Sequence, residues 1–296
     1  MSIECFRVRN FNIFKDLEIQ FAKGVNVIIG ENGTGKTQLL KLLYSSHSDE
    51  KLIRQDIFHN KGFSTDIDSL QYTMSSDDNN KYPCVFIPGK DMMTHAKGFS
   101  AMYDKYKEFP FDKTYPMIID KAQRWTLQET PLLAATIIPR LEKMLDGTIV
   151  VENNDFYVKK SNGNLIKFDM EAEGLKKIGL IWQLLMNESI TKDTILFWDE
   201  PEAFINPKFI PELVEILLEL SRHNIQIFVT THDYIFAKYF DIKRQSTDAV
   251  QFHSLYSDNN QQIQCETQSN FKDLRHNTIM DIFIQLYKDE VERVMQ

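Results

Sequence analysis

The 296-residue chain contains only three cysteines, Cys5, Cys84 and Cys265, and they form no C-x-x-C pair. Close pairs of cysteines are the usual sign of a structural zinc site or a redox motif, and disulfide scaffolds are much richer in cysteine. The sequence therefore predicts three free thiols in a reducing compartment.

Long apolar segments are also lacking. No apolar run approaches the length of a membrane-spanning helix, and residues 1–10 alternate polar and apolar side chains instead of forming a signal-peptide core. We therefore expect a cytoplasmic protein with no membrane partner.

The chain has no excess of positive charge, because 34 Lys and Arg residues stand against 42 Asp and Glu residues, a formal net charge of −8. This balance argues against a whole surface that attracts nucleic acid, although a local basic stripe is compatible with it. Hydrophobic residues make up 43% of the chain, which is ordinary for a globular protein. The length suits one large domain or a core with one inserted subdomain.

The pattern of apolar residues predicts the order of strands and helices. Strands are expected over residues 3–29, a helical stretch over about 91–147, and strands alternating with helices from about 148 to the terminal helix at 277–294. Strand–helix alternation is typical of a mainly parallel sheet with helices on both faces. We expect a single α/β domain over 1–296, with an antiparallel N-terminal β subdomain and the helical stretch as an insertion. The polar region 45–80 predicts a short hairpin and loops.

A glycine-rich segment follows the very apolar strand Val25–Ile29 and precedes an apolar helix. Its residues are Gly30, Glu31, Asn32, Gly33, Thr34, Gly35, Lys36 and Thr37, which fit G-x-x-x-x-G-K-[ST] at every fixed position. Glycines let successive backbone N–H groups turn toward phosphate oxygens, and the helix N-terminus adds a favourable field. The motif predicts an ATP site in which Lys36 reaches the β- and γ-phosphates and the Thr37 hydroxyl binds Mg²⁺. A chance glycine turn is disfavoured by the strand and helix around the motif.

Two acids end the apolar strand Ile195–Trp198. Asp199 is predicted to hold Mg²⁺ beside the phosphate loop, and Glu200 to orient or deprotonate the attacking water. An acid pair after a strand is by itself a weak signal, since it often starts a solvated loop. The phosphate loop earlier in the chain makes the catalytic interpretation the stronger one.

A histidine ends the next strand, Ile225–Val229. His232 is predicted to contact the γ-phosphate. A lone histidine is more often structural, but the order of strand, acids, helix, strand and histidine favours the catalytic role.

With these three motifs in order, the chain resembles the ABC-type ATPase superfamily. The resemblance is narrower to the heads of RecF, Rad50 and SMC proteins and to small stand-alone OLD-like and AbiEii-like bacterial ATPases. It is carried by the opening Arg9-Asn10-Phe11, by the phosphate loop, and by Asp199-Glu200-Pro201-Glu202 followed by Asn206-Pro207.

The resemblance implies a signature helix that reaches the γ-phosphate of a partner chain. The candidate segment is Glu171–Lys177, and Glu173 and Gly174 are the implied nucleotide contacts. Ala172 stands where the family usually has a phosphate-contacting serine. A homodimer formed through ATP is therefore expected.

Two further family features lack clear counterparts. No glutamine lies near Pro88–Asp91, where a glutamine loop is expected, and Gln71 is the nearest upstream. Phe11, Ile13 and Phe14 are candidates for contacting adenine, although each also suits the hydrophobic core.

Together these features predict an ATPase that dimerises around ATP and signals to DNA or to an effector protein, such as a nuclease or toxin encoded nearby, in bacterial anti-phage defence. A RecF-like DNA-repair ATPase is one alternative. A nucleotide-gated scaffold with little turnover is another, which Glu200 and His232 disfavour and Ala172 favours weakly. A transporter subunit is less compatible with Asp-Glu-Pro-Glu.

Overall fold

The computed structural model describes residues 2–47, 57, 71–76, 82–91, 93–106 and 110–295. The strands are β1 (Ile3–Phe11), β2 (Phe14–Gln20), β3 (Val25–Gly30), β4 (Gln71–Ser76), β5 (Cys84–Ile87), β6 (Gly147–Glu152), β7 (Asp155–Lys160), β8 (Leu165–Lys167), β9 (Ile195–Asp199), β10 (Gln226–Thr230), β11 (Val250–Ser257) and β12 (Ile263–Gln268). The α-helices are α1 (Lys36–His47), α2 (Phe99–Lys105), α3 (Thr114–Ala122), α4 (Ile138–Leu145), α5 (Glu173–Met186), α6 (Ile210–Arg222), α7 (Tyr234–Lys243) and α8 (Thr278–Met295).

The central sheet has six strands in the order β12-β11-β3-β10-β9-β5. Neighbouring strands are parallel from β11 to β5, and only β12 runs antiparallel to its neighbour. The predicted α/β class with a mainly parallel central sheet is confirmed. Because the strands are parallel, the carboxyl ends of β3, β9 and β10 meet at one edge, where the predicted functional residues lie.

The strands of this sheet are apolar because both of their faces are covered. Alternate residues of β3 point to opposite sides, so Val27 lies in one hydrophobic cluster and Ile28 in the other. Helices α5, α6 and α7 contribute to the first cluster, while α1 and the N-terminal strands contribute to the second. All six residues of β3 are buried, as expected for a strand in the middle of a parallel sheet.

The N-terminal strands form the expected antiparallel sheet, with the order β2-β1-β4. Phe6 and Val8 face the core, whereas Arg7 faces outward and forms an ion pair with Asp16 on β2 at 2.7 Å. The hairpin predicted within 45–80 falls mostly on residues outside the described ranges. One described segment of that region, β4, pairs with β1.

Helices α2, α3 and α4 lie between β5 and β6, in the stretch that the sequence predicts to be helical. A buried ion pair joins this stretch to the helix of the phosphate loop, with Lys41 Nζ on α1 lying 2.6 Å from Asp112 Oδ2. A second antiparallel sheet, β6-β7-β8, follows and leads into α5. Among the described residues, no helix is long and apolar enough to cross a membrane.

Candidate nucleotide site

The phosphate loop connects β3 to α1 in a conformation that requires glycine. Gly30 has a φ of 149° and Gly35 a φ of 87°, values that other residues rarely adopt. A Cβ at Gly30 would lie 2.4 Å from the Leu255 carbonyl oxygen, and one at Gly35 would lie 2.5 Å from Ile13 Cδ1. The loop is therefore held between the end of β11 and the turn that joins β1 to β2.

Lys36 folds back over this loop at the start of α1. Its ammonium donates to the carbonyl oxygens of Gly30 at 2.8 Å and Glu31 at 2.9 Å, and the side chain is largely buried. Burial lowers the pKa of Lys36, while the negative charges of Glu200 and Asp199 act to raise it. A buried cation among loop carbonyls is well placed to bind phosphate oxygens.

Thr37 and Asp199 lie side by side, although 162 positions separate them in the chain. The Thr37 hydroxyl donates to both carboxylate oxygens of Asp199, at 3.0 Å each. Burial raises the pKa of Asp199, and the hydrogen bonds from Thr230 and Thr37 act in the opposite direction. The structure thus brings together the two predicted Mg²⁺ ligands.

Glu200 and His232 form the next pair along this edge of the sheet. His232 Nδ1 lies 3.2 Å from Glu200 Oε1, and both side chains are accessible to solvent, at 53% and 35%. Glu200 adopts a φ of 47°, and its backbone N–H donates to the Thr230 carbonyl oxygen at 3.1 Å. The backbone of β10 therefore fixes the acid in an unusual conformation beside the histidine.

Lys177, the last residue of the candidate signature segment, makes a contact that the sequence does not predict. It lies on α5, is 4% exposed, and donates to the Glu200 carbonyl oxygen at 2.6 Å. Burial lowers the pKa of Lys177, and the charges of Glu202 and Glu200 act to raise it. The ammonium links the candidate signature helix to the loop that follows β9 in the same chain. A lysine that follows another lysine on a helix resembles a solvated face, so the sequence alone carried no signal of this contact.

Glu202 is a second such residue, buried behind the acid pair. Thr231 donates to its Oε1 at 2.5 Å, whereas Oε2 has no hydrogen-bond partner among the described residues. Burial raises the pKa of Glu202 to about 8, with the Thr231 hydrogen bond acting to lower it. The Asp-Glu-Pro-Glu pattern gave a signal for Glu202, but not for its contact with the segment leading to His232.

This burial makes a prediction for stability. Below about pH 4.5 Glu202 is protonated in both folded and unfolded chains, and between 4.5 and about 8 only the unfolded chain releases the proton. The contribution of Glu202 to folding stability is therefore present at low pH and lost as the pH rises toward 8. Gln cannot ionise, so we expect Glu202→Gln to be more stable than the wild type at pH 8, by up to several kcal/mol.

Urea unfolding at pH 5 and pH 8 measures this difference. The matched control is Glu129→Gln, which changes an exposed glutamate and should leave the pH dependence as in the wild type. Equal stability of wild type and Glu202→Gln at pH 8 would contradict the raised pKa.

The candidate signature segment begins α5. Ala172 and Glu173 are exposed, whereas Gly174 is buried, and a Cβ there would lie 2.5 Å from the Phe204 carbonyl oxygen. Gly174 thus packs against the loop that follows the acid pair of its own chain. Within the described residues, no hydrogen bond or ion pair joins 172–174 to the phosphate loop. The structure brings together the phosphate loop, the acid pair and the histidine, whereas residues 172–174 form no described hydrogen bond or ion pair with the loop.

The remaining sequence candidates are also placed. Phe11 and Phe14 are buried in the core, while Ile13 lines a cavity beside the phosphate loop. After β5, the position of a Cβ at Gly89 lies 3.5 Å from Asp199 Oδ2, so the segment expected to carry a glutamine does approach the acid pair. Gln71 lies elsewhere, on β4 opposite Arg9.

Two family models match parts of the chain. Residues 118–237 match the model described as "AAA domain, putative AbiEii toxin, Type IV TA system", and residues 6–45 match a model described as "AAA domain". The first match contains the candidate signature segment, the acid pair and His232, and the second contains the phosphate loop.

Short segments are similar to DNA replication and repair protein RecF. The chain is 41% identical to RecF of Bacillus cytotoxicus over 64 residues, which cover 19% of this chain and 17% of that protein. It is 41% identical to RecF of Pediococcus pentosaceus over 44 residues, which cover 15% of this chain and 12% of that protein. The chain therefore matches less than a fifth of the length of these curated relatives.

Solved structures share the fold across most of the chain. An SMC head bound to the C-terminal winged-helix domain of ScpA has a TM-score of 0.56 at 13% identity, covering 92% of this chain and 99% of that one. An SMC head with an extended coiled coil from Pyrococcus furiosus has a TM-score of 0.50 at 12% identity, covering 96% and 99%. These matches support an ABC-type ATPase head of the RecF/Rad50/SMC group, and the fold is shared with the solved SMC heads.

Proposed function

We propose that this chain binds ATP with Mg²⁺, hydrolyses it, and dimerises through two bound nucleotides to control a DNA substrate or an effector protein. The observation that carries the proposal is the meeting of Lys36, the Thr37–Asp199 pair and the Glu200–His232 pair at one edge of the sheet. A cation, a metal-binding pair and a general base with its histidine are groups that enzymes commonly use to hydrolyse the phosphoanhydride bond of ATP.

The donor set fits Mg²⁺ held together with a nucleotide. Thr37 at the start of α1 and Asp199 at the end of β9 supply oxygen ligands, and octahedral Mg²⁺ commonly takes its other oxygens from phosphate and water. When bound, the ion neutralises charge that develops on the phosphates. The Asp199 carboxylate orients the Thr37 hydroxyl for this role.

The remaining residues act on the water and on the γ-phosphate. Glu200 accepts the proton of the attacking water. His232, which lies beside the Glu200 carboxylate, contacts the γ-phosphate. Lys177 and Thr230 fix the Glu200 backbone, so the carboxylate keeps its position while ATP is converted to ADP. Lys36 stabilises charge on the leaving phosphate.

The exposure of the signature segment supports a dimer. Ala172 and Glu173 are exposed at a helix N-terminus, which attracts anions, and among the described residues they form no hydrogen bond or ion pair with the phosphate loop of their own chain. A second chain that presents this segment to the γ-phosphate would complete the ATP site. Two chains would thereby enclose two nucleotides.

The output is proposed from the relatives. The match to a model that names a toxin system supports an effector such as a nuclease or toxin encoded nearby, and a role in anti-phage defence within the cell. The RecF segments support the alternative of a DNA-repair ATPase. Purification together with the products of neighbouring genes distinguishes a dedicated effector from DNA alone.

Mixing two defective variants tests the shared site. Lys36→Ala lacks the phosphate cation, and Ala172→Arg places a bulky side chain at the exposed start of α5. Each protein alone should be inactive, while their mixed dimer has one intact composite site and should regain part of the ATPase activity. Gly174 is unsuitable for this test, because a substitution there would clash with Phe204 of the same chain.

The control for the added arginine is Ala135→Arg, another exposed alanine, which should keep wild-type activity. Native mass spectrometry with ATP reports whether mixed dimers form. Mixed dimers without any recovery of activity would refute two independent shared sites.

A further inference from the structure

A cavity of about 630 Å³ adjoins the phosphate loop on the side away from the acid pair. Its walls come from the turn between β1 and β2, residues 31–34, the end of β11, and the segment that leads into α8. The segment over 255–281 lies outside both stretches that the family models match.

The order of strands indicates which part of the nucleotide reaches this cavity. β3 carries the phosphate loop, with β10 and β9 on one side and β11 on the other. Asp199, Glu200 and His232 follow β9 and β10, so the γ-phosphate belongs on that side. The nucleoside then leaves the loop toward β11, where the cavity lies.

One wall of the cavity is a flat aromatic pair. The rings of Tyr256 and His276 are parallel to within 3°, with centroids 3.6 Å apart. Glu266 on β12 holds His276 in place, since it accepts from the His276 backbone N–H at 3.0 Å and lies 3.0 Å from His276 Nδ1. Fixed aromatic faces are the surfaces on which nucleic-acid bases stack.

We propose that this cavity binds the base and ribose of the nucleotide, and that the Tyr256–His276 pair is the aromatic wall against which the base stacks. The proposal rests on ATP binding at the phosphate loop. Ile13, on the turn between β1 and β2, adds an apolar side chain to the lining of the cavity. Thr278 and Asp281, in the first turn of α8, place a hydroxyl and a carboxylate on the same cavity, which suits the hydroxyls of a ribose.

Comparing ATP with inorganic tripolyphosphate separates the base from the phosphates. In calorimetry with Mg²⁺, His276→Ala should weaken ATP binding roughly tenfold or more, because a stacking face is lost. It should leave tripolyphosphate binding unchanged. Tyr256→Phe keeps the ring and should bind ATP as the wild type does, whereas Tyr256→Ala should behave like His276→Ala.

The control is His223→Ala, a change of a solvent-accessible histidine outside this cavity, which should alter neither affinity. Unchanged ATP binding by both alanine variants would overturn the proposal, and so would equal weakening of ATP and tripolyphosphate. If ATP does not bind at the phosphate loop, the proposed function itself fails. In that case Lys36→Ala would leave the binding of both ATP and tripolyphosphate intact, which distinguishes the two failures.

Discussion

Lys36→Ala is expected to lose ATP binding, by roughly a hundredfold or more, while the protein stays folded. Lys36 is the only cation in the loop from Gly30 to Thr37. Its ammonium donates to two carbonyl oxygens of this loop, and from there it can also donate to phosphate oxygens. A hydrogen bond to a charged group contributes about 1.5–3 kcal/mol, and Lys36 is placed to contact two phosphates. The same variant should lose tripolyphosphate binding, since the lost contacts are to phosphate alone.

Calorimetry with a non-hydrolysable ATP analogue and Mg²⁺ measures this loss. Lys208→Ala, a change of an exposed lysine, is the matched control and should bind as the wild type does. Removing the ammonium also leaves two loop carbonyls without their donor, so a small drop in thermal stability is expected. Wild-type affinity in folded Lys36→Ala would show that the nucleotide binds elsewhere.

The phosphate loop and acid pair were predictable because their signals are local. β3 is a short apolar run that leads into the glycine-rich loop. β9 is an apolar run that ends at Asp199, and Glu200 comes next. A strand buried on both faces has few other patterns available to it. Since parallel strands end at one edge, local patterns of this kind also predict that Thr37 and Asp199 meet.

Contacts that depend on tertiary packing were not predictable in this way. Lys177 reaches the Glu200 carbonyl because α5 packs beside the loop after β9, and its own sequence neighbours give no sign of that burial. Gly174 is a similar case, since its close approach to the loop at Phe204 decides which part of the signature segment remains exposed. The pairing of β4 with β1 also requires a contact between distant segments.

The terminal helix differs from its sequence pattern in burial, because its apolar residues are exposed. The predicted helix at 277–294 is present as α8, and its apolar residues would ordinarily indicate burial. In the described structure none of the residues of α8 is buried, and Ile282 and Leu286 are 68% and 61% exposed. The periodicity predicts the helix correctly, but whether its apolar face is covered depends on what lies beside it.

Glu200→Gln should keep ATP binding and lose hydrolysis by roughly 10²-fold or more. The amide has the shape of the carboxylate but cannot accept a proton from water, and general-base residues commonly contribute that much to the rate. The substitution leaves the surroundings of the backbone unchanged, because Lys177 and Thr230 contact the Glu200 carbonyl and N–H groups, not the side chain. Phosphate release at saturating ATP measures turnover, and calorimetry measures binding.

The same variant separates an ATPase from a nucleotide-gated scaffold. If the chain hydrolyses ATP, blocking the reaction should hold the ATP-bound dimer closed, and native mass spectrometry with ATP should show more dimer for Glu200→Gln than for the wild type. If the chain is a scaffold with little turnover, wild type and variant should release phosphate equally slowly and dimerise to the same extent. Glu129→Gln should match the wild type in both measurements, since that exposed glutamate makes no contact with the acid pair in the described structure. Near-wild-type turnover in Glu200→Gln would instead show that another group activates the water. Glu200 would then not be the general base, although its carboxylate lies 3.2 Å from His232.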